Sequence, residues 1–238
     1  MRFLDYYRIY WGSQTSAGHR HYDAGYFRMY SAELKLLYSE DAIESVLEIG
    51  CGAGDLYSHL GFDALSYRGV DFSESMLGEF RKRHPGADLV CAVGHTYRDD
   101  RRYDLVFSNQ VLQNFDAQMM EEHFSSAAAM LRPGGVLVCG SLPLKLNRHA
   151  FYSGEITTGN RPSLGRRLWV SLLLLRRDFI GHWFTFGEIL ALARRHGFSA
   201  EFYGCMLYPY RFHAVCRKDA WTRRSTRSAP SVAASADS

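Results

Sequence analysis

Between residues 45 and 71 the chain carries a pattern that few folds accommodate. Val46-Leu47-Glu48-Ile49 is an apolar run broken only by an acid, and it passes straight into Gly50-Cys51-Gly52-Ala53-Gly54, a G-x-G-x-G turn. Twenty-one positions past Gly50, a second apolar run, Tyr67-Arg68-Gly69-Val70, ends in Asp71. Glycines admit positive φ and let backbone approach a ligand where a Cβ would collide. An acid at the tip of the second strand of such a unit is where a nucleotide ribose is gripped through its hydroxyls. Together the two features predict a nucleoside-containing cofactor.

The details narrow which one. A dinucleotide fingerprint would read G-x-G-x-x-G with its third glycine at position 55, but position 55 is Asp and the third glycine comes one residue early. Glu48, two residues before the first glycine, would repel a pyrophosphate, whereas it suits a cationic ligand or the hydrogen bonding of a turn. S-adenosylmethionine has no phosphate and carries a sulfonium and an ammonium. On Glu48-Ile49-Gly50-Cys51-Gly52-Ala53-Gly54 the chain resembles the class I S-adenosylmethionine-dependent methyltransferases, of the small-molecule or glycan type. Asp71-Phe72-Ser73 resembles their second motif, Tyr103-Asp104-Leu105-Val106-Phe107-Ser108-Asn109 their fourth strand, and Leu131-Arg132-Pro133-Gly134-Gly135 the turn before their fifth. Trp183-Phe184-Thr185 followed by Gly197-Phe198 resembles their late helix and its exit. The resemblance covers roughly residues 43–217. Two departures stand out: Gly94-His95-Thr96 lies where many relatives place an acid near the adenine, and Gln110-Val111-Leu112-Gln113-Asn114 where many carry histidines.

Periodicity gives the same architecture independently. Strand-like runs fall near residues 45–49, 67–70, 88–93, 103–108, 135–140, 200–206 and 212–217, with helical stretches between most of them. Ser73 and Asp116 are placed as helix caps, Thr185-Phe-Gly-Glu188 is a capping box, and Met120, Phe124, Ala127 and Leu131 share one helical face. Alternating strands and helices imply a parallel sheet covered on both faces. The last two strands are joined by too few residues for a crossover helix, so they should pair antiparallel. The expected fold is α/β and Rossmann-like: a doubly wound, mostly parallel seven-stranded sheet with an antiparallel last strand, an N-terminal cover and an inserted lid. Residues 1–42 would form the cover, 43–217 the catalytic domain with residues 144–182 as the lid, and 218–238 a disordered tail of Ser, Ala, Arg and Thr.

At 238 residues and 47% hydrophobic, the chain can bury a sizeable core. A net charge of +3 argues against a nucleic-acid partner, as does the lack of an N-P-P-Y-type tetrapeptide after the fourth strand. The five cysteines contain no C-x-x-C pair; Cys91, Cys139, Cys205 and Cys216, in apolar runs, read as buried reduced thiols. No metal ligand set is expected. The N-terminus lacks a signal-peptide core, which makes the cytoplasm the expected compartment.

Each candidate site residue has a bland reading beside a functional one. Gly50, Gly52 and Gly54 would contact cofactor, or only turn the chain. Asp71 would bind the ribose, or only cap the next helix. Glu48 would lie near the methionine end, or only accept structural hydrogen bonds. Phe72 and Met76 would edge the adenine, or only pack. Asn109 and Gln110 would line the cleft where the methyl leaves, or only form a turn. An oxygen acceptor needs a base, and histidine is the commonest. His182, beside Trp183 and Phe184, leads; His149, within the lid, follows; His19 and His21 in the cover share the rest with the absence of any base. His59, His84, His123 and His196 read as bystanders on helix surfaces or ends.

The function expected from the resemblance is O-methylation of a small molecule or of a glycan or lipid-linked intermediate. N-methylation of a small amine and a catalytically inactive binding subunit remain alternatives, and an NAD-linked oxidoreductase is disfavoured by Glu48 and Asp55. The segment Arg166-Arg167-Leu168-Trp169-Val170-Ser171-Leu172-Leu173-Leu174-Leu175-Arg176-Arg177 carries three open readings: a buried lid helix, a dimer contact, or a weak, salt-sensitive membrane-surface contact. The oligomeric state is left open.

Overall fold

In a computed structural model, residues 24–39, 42–159, 162–173, 178 and 180–219 are described. Seven strands, β1 (Ser45–Ile49), β2 (Ser66–Asp71), β3 (Leu89–Cys91), β4 (Tyr103–Asn109), β5 (Leu131–Pro143), β6 (Phe198–Gly204) and β7 (Arg211–Lys218), form one sheet in the order β3-β2-β1-β4-β5-β7-β6. The first five run parallel, and β7 is antiparallel to both of its neighbours. Connectivity reverses direction between β1 and β4, and a doubly wound sheet opens a crevice beyond the carboxyl ends of its strands at such a point.

The central strands are buried on both faces, so they read as continuous apolar runs rather than as alternations. The helices are α1 (Ala24–Lys35), α2 (Glu74–Arg83), α3 (Ala117–Met130), α4 (Arg148–Ser153), α5 (Glu155–Thr158), α6 (Leu164–Leu173) and α7 (Phe186–Arg195). Ser73 caps α2 by accepting the Met76 amide, Asp116 caps α3 by accepting that of Met119, and Thr185 with Glu188 closes a capping box on α7. One face of the sheet packs on α3 and α7 through Met120, Phe124, Ala127, Ile189 and Phe198. The other packs on α1 through Tyr30 and Leu34, each more than nine-tenths buried and contributing on the order of 1.5–3 kcal/mol.

Four expectations change. The segment after the glycine turn, Asp55–Gly61, is a succession of turns rather than an α-helix. Cys91 is exposed, at the end of the three-residue edge strand β3, while Cys51, Cys139, Cys205 and Cys216 are buried, and all five are free. His123 is buried on the inner face of α3, and desolvation lowers its pKa to about 4. The described side chains of α6 do not fit the buried reading of the Arg166–Arg177 segment: Val170 is buried, while Leu164, Leu168, Trp169 and Leu172 face outward, and the Leu173 side chain and residues 174–177 lie outside the described set. Among the described residues no helix is long and apolar enough to cross a membrane.

Candidate active site

The crevice has two halves. The first is built on the tips of β1 and β2. Gly50, Gly52 and Gly54 all have positive φ, of 76°, 54° and 76°. The Gly50 and Cys51 amides both donate to the Val70 carbonyl, at 2.7 and 3.2 Å, which folds the turn back over β2. Asp71 Oδ2 accepts the Gly52 amide at 3.0 Å, and its Oδ1 accepts the Ser73 amide at 2.8 Å, so one carboxylate ties the glycine turn to the start of α2. Burial raises the Asp71 pKa, and these backbone donors pull it back.

The three glycines differ in purpose. A Cβ on Gly50 would sit 2.2 Å from a methyl of Val111, and one on Gly54 would sit 2.7 Å from the Phe80 ring. Tight packing explains both. A Cβ on Gly52 would meet only Met76 Cε, at 3.5 Å, so the backbone there borders open space beside the Asp71 carboxylate. That cradle, floored by buried Met76 and edged by half-buried Phe72, fits a nucleoside whose ribose meets Asp71. Glu48 is buried behind the turn, where its Oε2 accepts the Tyr67 hydroxyl at 2.6 Å. Desolvation raises its pKa to about 7. His95, past β3, has its Nδ1 2.7 Å from a Glu122 carboxylate.

The second half lies at the tips of β4, β5 and β7. The non-glycine residues with positive φ among those described are Gln110, at 55°, and Ser141, at 57°. Gln110 directly follows β4 and Ser141 lies two residues before the end of the adjacent β5, and the Gln110 amide donates to the Gly140 carbonyl at 3.1 Å. Such backbone is strained, and strain of this kind clusters where side chains are re-aimed for function. Ser141 sits in the irregularity between Cys139 and Leu142 that breaks the β5–β7 register. Asn109 Oδ1 accepts the Tyr30 hydroxyl at 2.7 Å, which brings α1 over the end of β4. Burial pushes the Tyr30 phenol well above its ordinary pKa.

Around these lie residues that sequence reasoning did not single out. Glu33 Oε1 accepts the Met206 amide at 2.6 Å and meets His213 Nε2 at 3.0 Å. His213 Nδ1 accepts the Ser141 amide at 3.1 Å, so its proton resides on Nε2 and is donated to Glu33. Cys205 joins them closely enough to form a three-ligand cluster, but this tautomer occupies the His213 nitrogen in a hydrogen bond. The buried guanidinium of Arg211 donates from Nη1 to Gln113 Oε1 and to the Ser141 carbonyl, both at 2.6 Å. The sequence did contain one sign of it, a charged residue directly before the largely apolar run Phe212–Cys216.

The two candidate bases are placed differently. The His182 amide donates to the Gln113 carbonyl at 2.7 Å, which holds this residue against the turn after β4. Gly181 makes that approach possible: its φ is 99°, and a Cβ there would lie 2.3 Å from the Gln113 oxygen. The His182 ring is exposed on one side and packs on Phe184 on the other, and partial desolvation lowers its pKa. His149, on α4, has its Nε2 3.3 Å from the Arg167 carbonyl and 3.4 Å from Ser171 Oγ on α6, contacts internal to the segment between β5 and α7. His19 and His21 lie outside the described residues.

Comparison with known proteins agrees with this geometry. A family described as a methyltransferase domain matches residues 47–137, the span from β1 into β5. The chain is 30% identical to the malonyl-[acyl-carrier protein] O-methyltransferase of Hahella chejuensis over 124 residues, 50% of this chain and 44% of that protein. It is 33% identical to a trans-aconitate 2-methyltransferase of Acidovorax sp. over 112 residues, 45% of this chain and 42% of that one. It therefore spans less than half the length of these curated relatives. Among solved structures, DesVI of Streptomyces venezuelae superposes with a TM-score of 0.62 at 19% identity, covering 92% of this chain and 99% of that one. The magnesium protoporphyrin IX methyltransferase ChlM of Synechocystis PCC 6803 with bound S-adenosylmethionine gives 0.61 at 15% identity, covering 92% and 98%. Residues 47–137 thus match a methyltransferase domain, and the chain shares the fold of solved S-adenosylmethionine-dependent methyltransferases. S-adenosylmethionine is bound in the ChlM structure, and the Gly52 cradle and Asp71 of this chain fit that cofactor.

Proposed function

We propose that the protein transfers the methyl group of S-adenosylmethionine to an oxygen of a small-molecule acceptor, with His182 as the base. The observation that carries the reading is the joint between the glycine turn and Asp71, beside open space at Gly52, in a sheet whose β7 is antiparallel. Relatives bearing O-methyltransferase names, for malonyl-[acyl-carrier protein] and for ubiquinone biosynthesis, support oxygen as the acceptor atom. Glycans and lipid-linked intermediates are within the same reading.

The bound cofactor supplies a methyl carbon on a sulfonium, open to in-line attack. The chain's own task is alignment, which lowers the barrier by converting an encounter into a held geometry. The Asp71 carboxylate and the backbone at Gly52 would hold the nucleoside, and Asn109 and Gln110 would border the methyl. As the acceptor oxygen bonds to the methyl carbon, the carbon–sulfur bond breaks, S-adenosylhomocysteine leaves and the hydroxyl proton passes to a base. An imidazole with a lowered pKa is neutral at pH 7 and able to take it. His149 is the runner-up, and its contacts to Arg167 and Ser171 lie within the segment between β5 and α7.

Calorimetry with S-adenosylhomocysteine and with NADH tests the cofactor. Uptake of the first and not the second is the expected result, and the opposite pair of results would end the proposal. Methyl-labelled S-adenosylmethionine incubated with the protein and a cell extract, followed by mass spectrometry, identifies the acceptor and shows whether oxygen carries the label.

A further inference from the structure

Arg68 and Arg211 are both largely buried, but only one is neutralised. Arg68 pairs with Asp88 and Asp99 at 2.8 and 3.0 Å. Arg211 is 6% exposed, and among the described residues it pairs with no carboxylate. Both hydrogens of its Nη1 are spent on neutral oxygens, Gln113 Oε1 and the Ser141 carbonyl. Its Nε is buried and has no hydrogen-bond partner among the described residues. The rings of Tyr208 and Tyr210, centred 5.8 and 5.1 Å from the guanidinium carbon, contribute cation–π attraction but leave the N–H groups unpaired. A buried guanidinium held by neutral acceptors, with one donor edge unused, is an unfavourable arrangement unless something completes it.

The placement says what that could be. Arg211 is the first residue of β7 and lies opposite Pro143, the last residue of β5, so it stands at the carboxyl end of the sheet where the crevice opens. Gln113 binds the Arg211 guanidinium through its side chain and the His182 amide through its carbonyl, so the arginine and the candidate base hang on one residue. Among the described residues neither Nε–H nor Nη2 has a hydrogen-bond partner, and together they form the pair of parallel donors that matches the two oxygens of a carboxylate.

We infer that the acceptor carries a carboxylate, which docks on the Nε–Nη2 edge of Arg211 between the β5 tip and the Tyr208–Tyr210 turn. This rests on the methyltransferase reading for the word acceptor, but not for the anion site itself. The carboxylate acts as a handle that fixes the acceptor relative to the methyl, so Arg211 is a substrate-binding residue. The rest of the donor set argues for a carboxylate over a phosphate: one guanidinium edge meets a monoanion, whereas a dianion calls for further cations.

The direct test is nuclear magnetic resonance on the full chain labelled with 15N-arginine and saturated with S-adenosylhomocysteine. The Nε–H resonance of Arg211 is identified by its absence in Arg211→Lys. Titration with acetate should move it saturably, while acetamide and inorganic phosphate at matched ionic strength should not. A resonance that acetate leaves unmoved, or that only phosphate moves, overturns the proposal. A second arm needs no knowledge of the acceptor: a cell extract is divided, and in one portion the carboxylates are converted to methylamides. Transfer of labelled methyl into the blocked portion should fall tenfold or more, and undiminished transfer would refute a carboxylate handle. Arg211→Gln should lose the acetate response while binding S-adenosylhomocysteine as the wild type does, which shows that it folds. Failure of the wild type to bind S-adenosylhomocysteine would sink the methyltransferase reading instead, and the acetate titration would still decide the anion site.

Discussion

The two halves of the crevice are built by opposite strategies. The cofactor half comes from one stretch of about 30 residues, and most of its hydrogen bonds run from backbone to backbone or from backbone to Asp71. Its polar atoms are largely satisfied, and its open space is defined by a missing side chain at Gly52. The acceptor half draws Tyr30, Asn109, Gln113, Ser141, His182 and Arg211 from five separate segments, holds two non-glycine residues at positive φ, and leaves buried Arg211 Nε without a partner among the described residues. A shared cofactor can be bound by a fixed backbone, but a particular acceptor needs side chains, and strain and unmet donors are what a site ready for one looks like.

Four changes test this division. The largest effect should come from Gly54→Val. It places a β-branched residue at a φ of 76° with its Cβ against the Phe80 ring, which should lower stability by about 2–5 kcal/mol, seen as a drop in melting temperature and in cofactor affinity together. Wild-type stability after this change would show that the turn is not rigid, and the contrast between the halves would collapse.

Glu48 tests whether the acid behind the turn serves the fold or the ligand. Burial raises its pKa from 4.5 in the unfolded chain to about 7 in the folded one. The folded state therefore holds a proton that the unfolded state has released between those values, and stability falls as pH rises from about 4.5 to about 7. The loss amounts to at most about 3 kcal/mol. Glu48→Gln should flatten that part of the profile in denaturant titrations and leave S-adenosylhomocysteine affinity near normal. A large loss of affinity would instead put Glu48 on the cofactor.

On the acceptor side, His182→Ala should lower kcat by about 100-fold while cofactor affinity stays unchanged. Because its pKa is lowered, wild-type kcat should climb with pH below neutrality and be level above it. Unaltered turnover would direct attention to His149. The smallest effect should be that of Asp71→Ala on cofactor binding, about 1.5–3 kcal/mol by calorimetry, if Asp71 holds the ribose as proposed as well as tying the turn. Should it alter only stability and not affinity, its bonds to Gly52 and Ser73 are its whole role.

Legibility followed the same division. The strand positions, the caps at Ser73, Asp116 and Thr185 and the antiparallel β7 were readable because each depends on a short window of sequence. The helix expected after the glycine turn was not, and no local signal separates a run of turns from a short helix there. Nor could the three glycines be told apart, since Val111 and Phe80, which fix Gly50 and Gly54, approach from elsewhere in the chain. His123 was read as a surface residue because a polar side chain on an amphipathic helix usually is one.

By itself, then, the sequence determined the strand positions, their mostly parallel direction with an antiparallel last strand, and the glycine turn with its acid, because periodicity, turn chemistry and motif spacing act over a few residues. Only the tertiary structure decided the acceptor side. The link from Tyr30 to Asn109 spans 79 positions, from His213 to Glu33 180, and from Arg211 to Gln113 98. Contacts of that range leave no periodic trace, and the partner of a buried charge exists only once the sheet has brought its strand ends together.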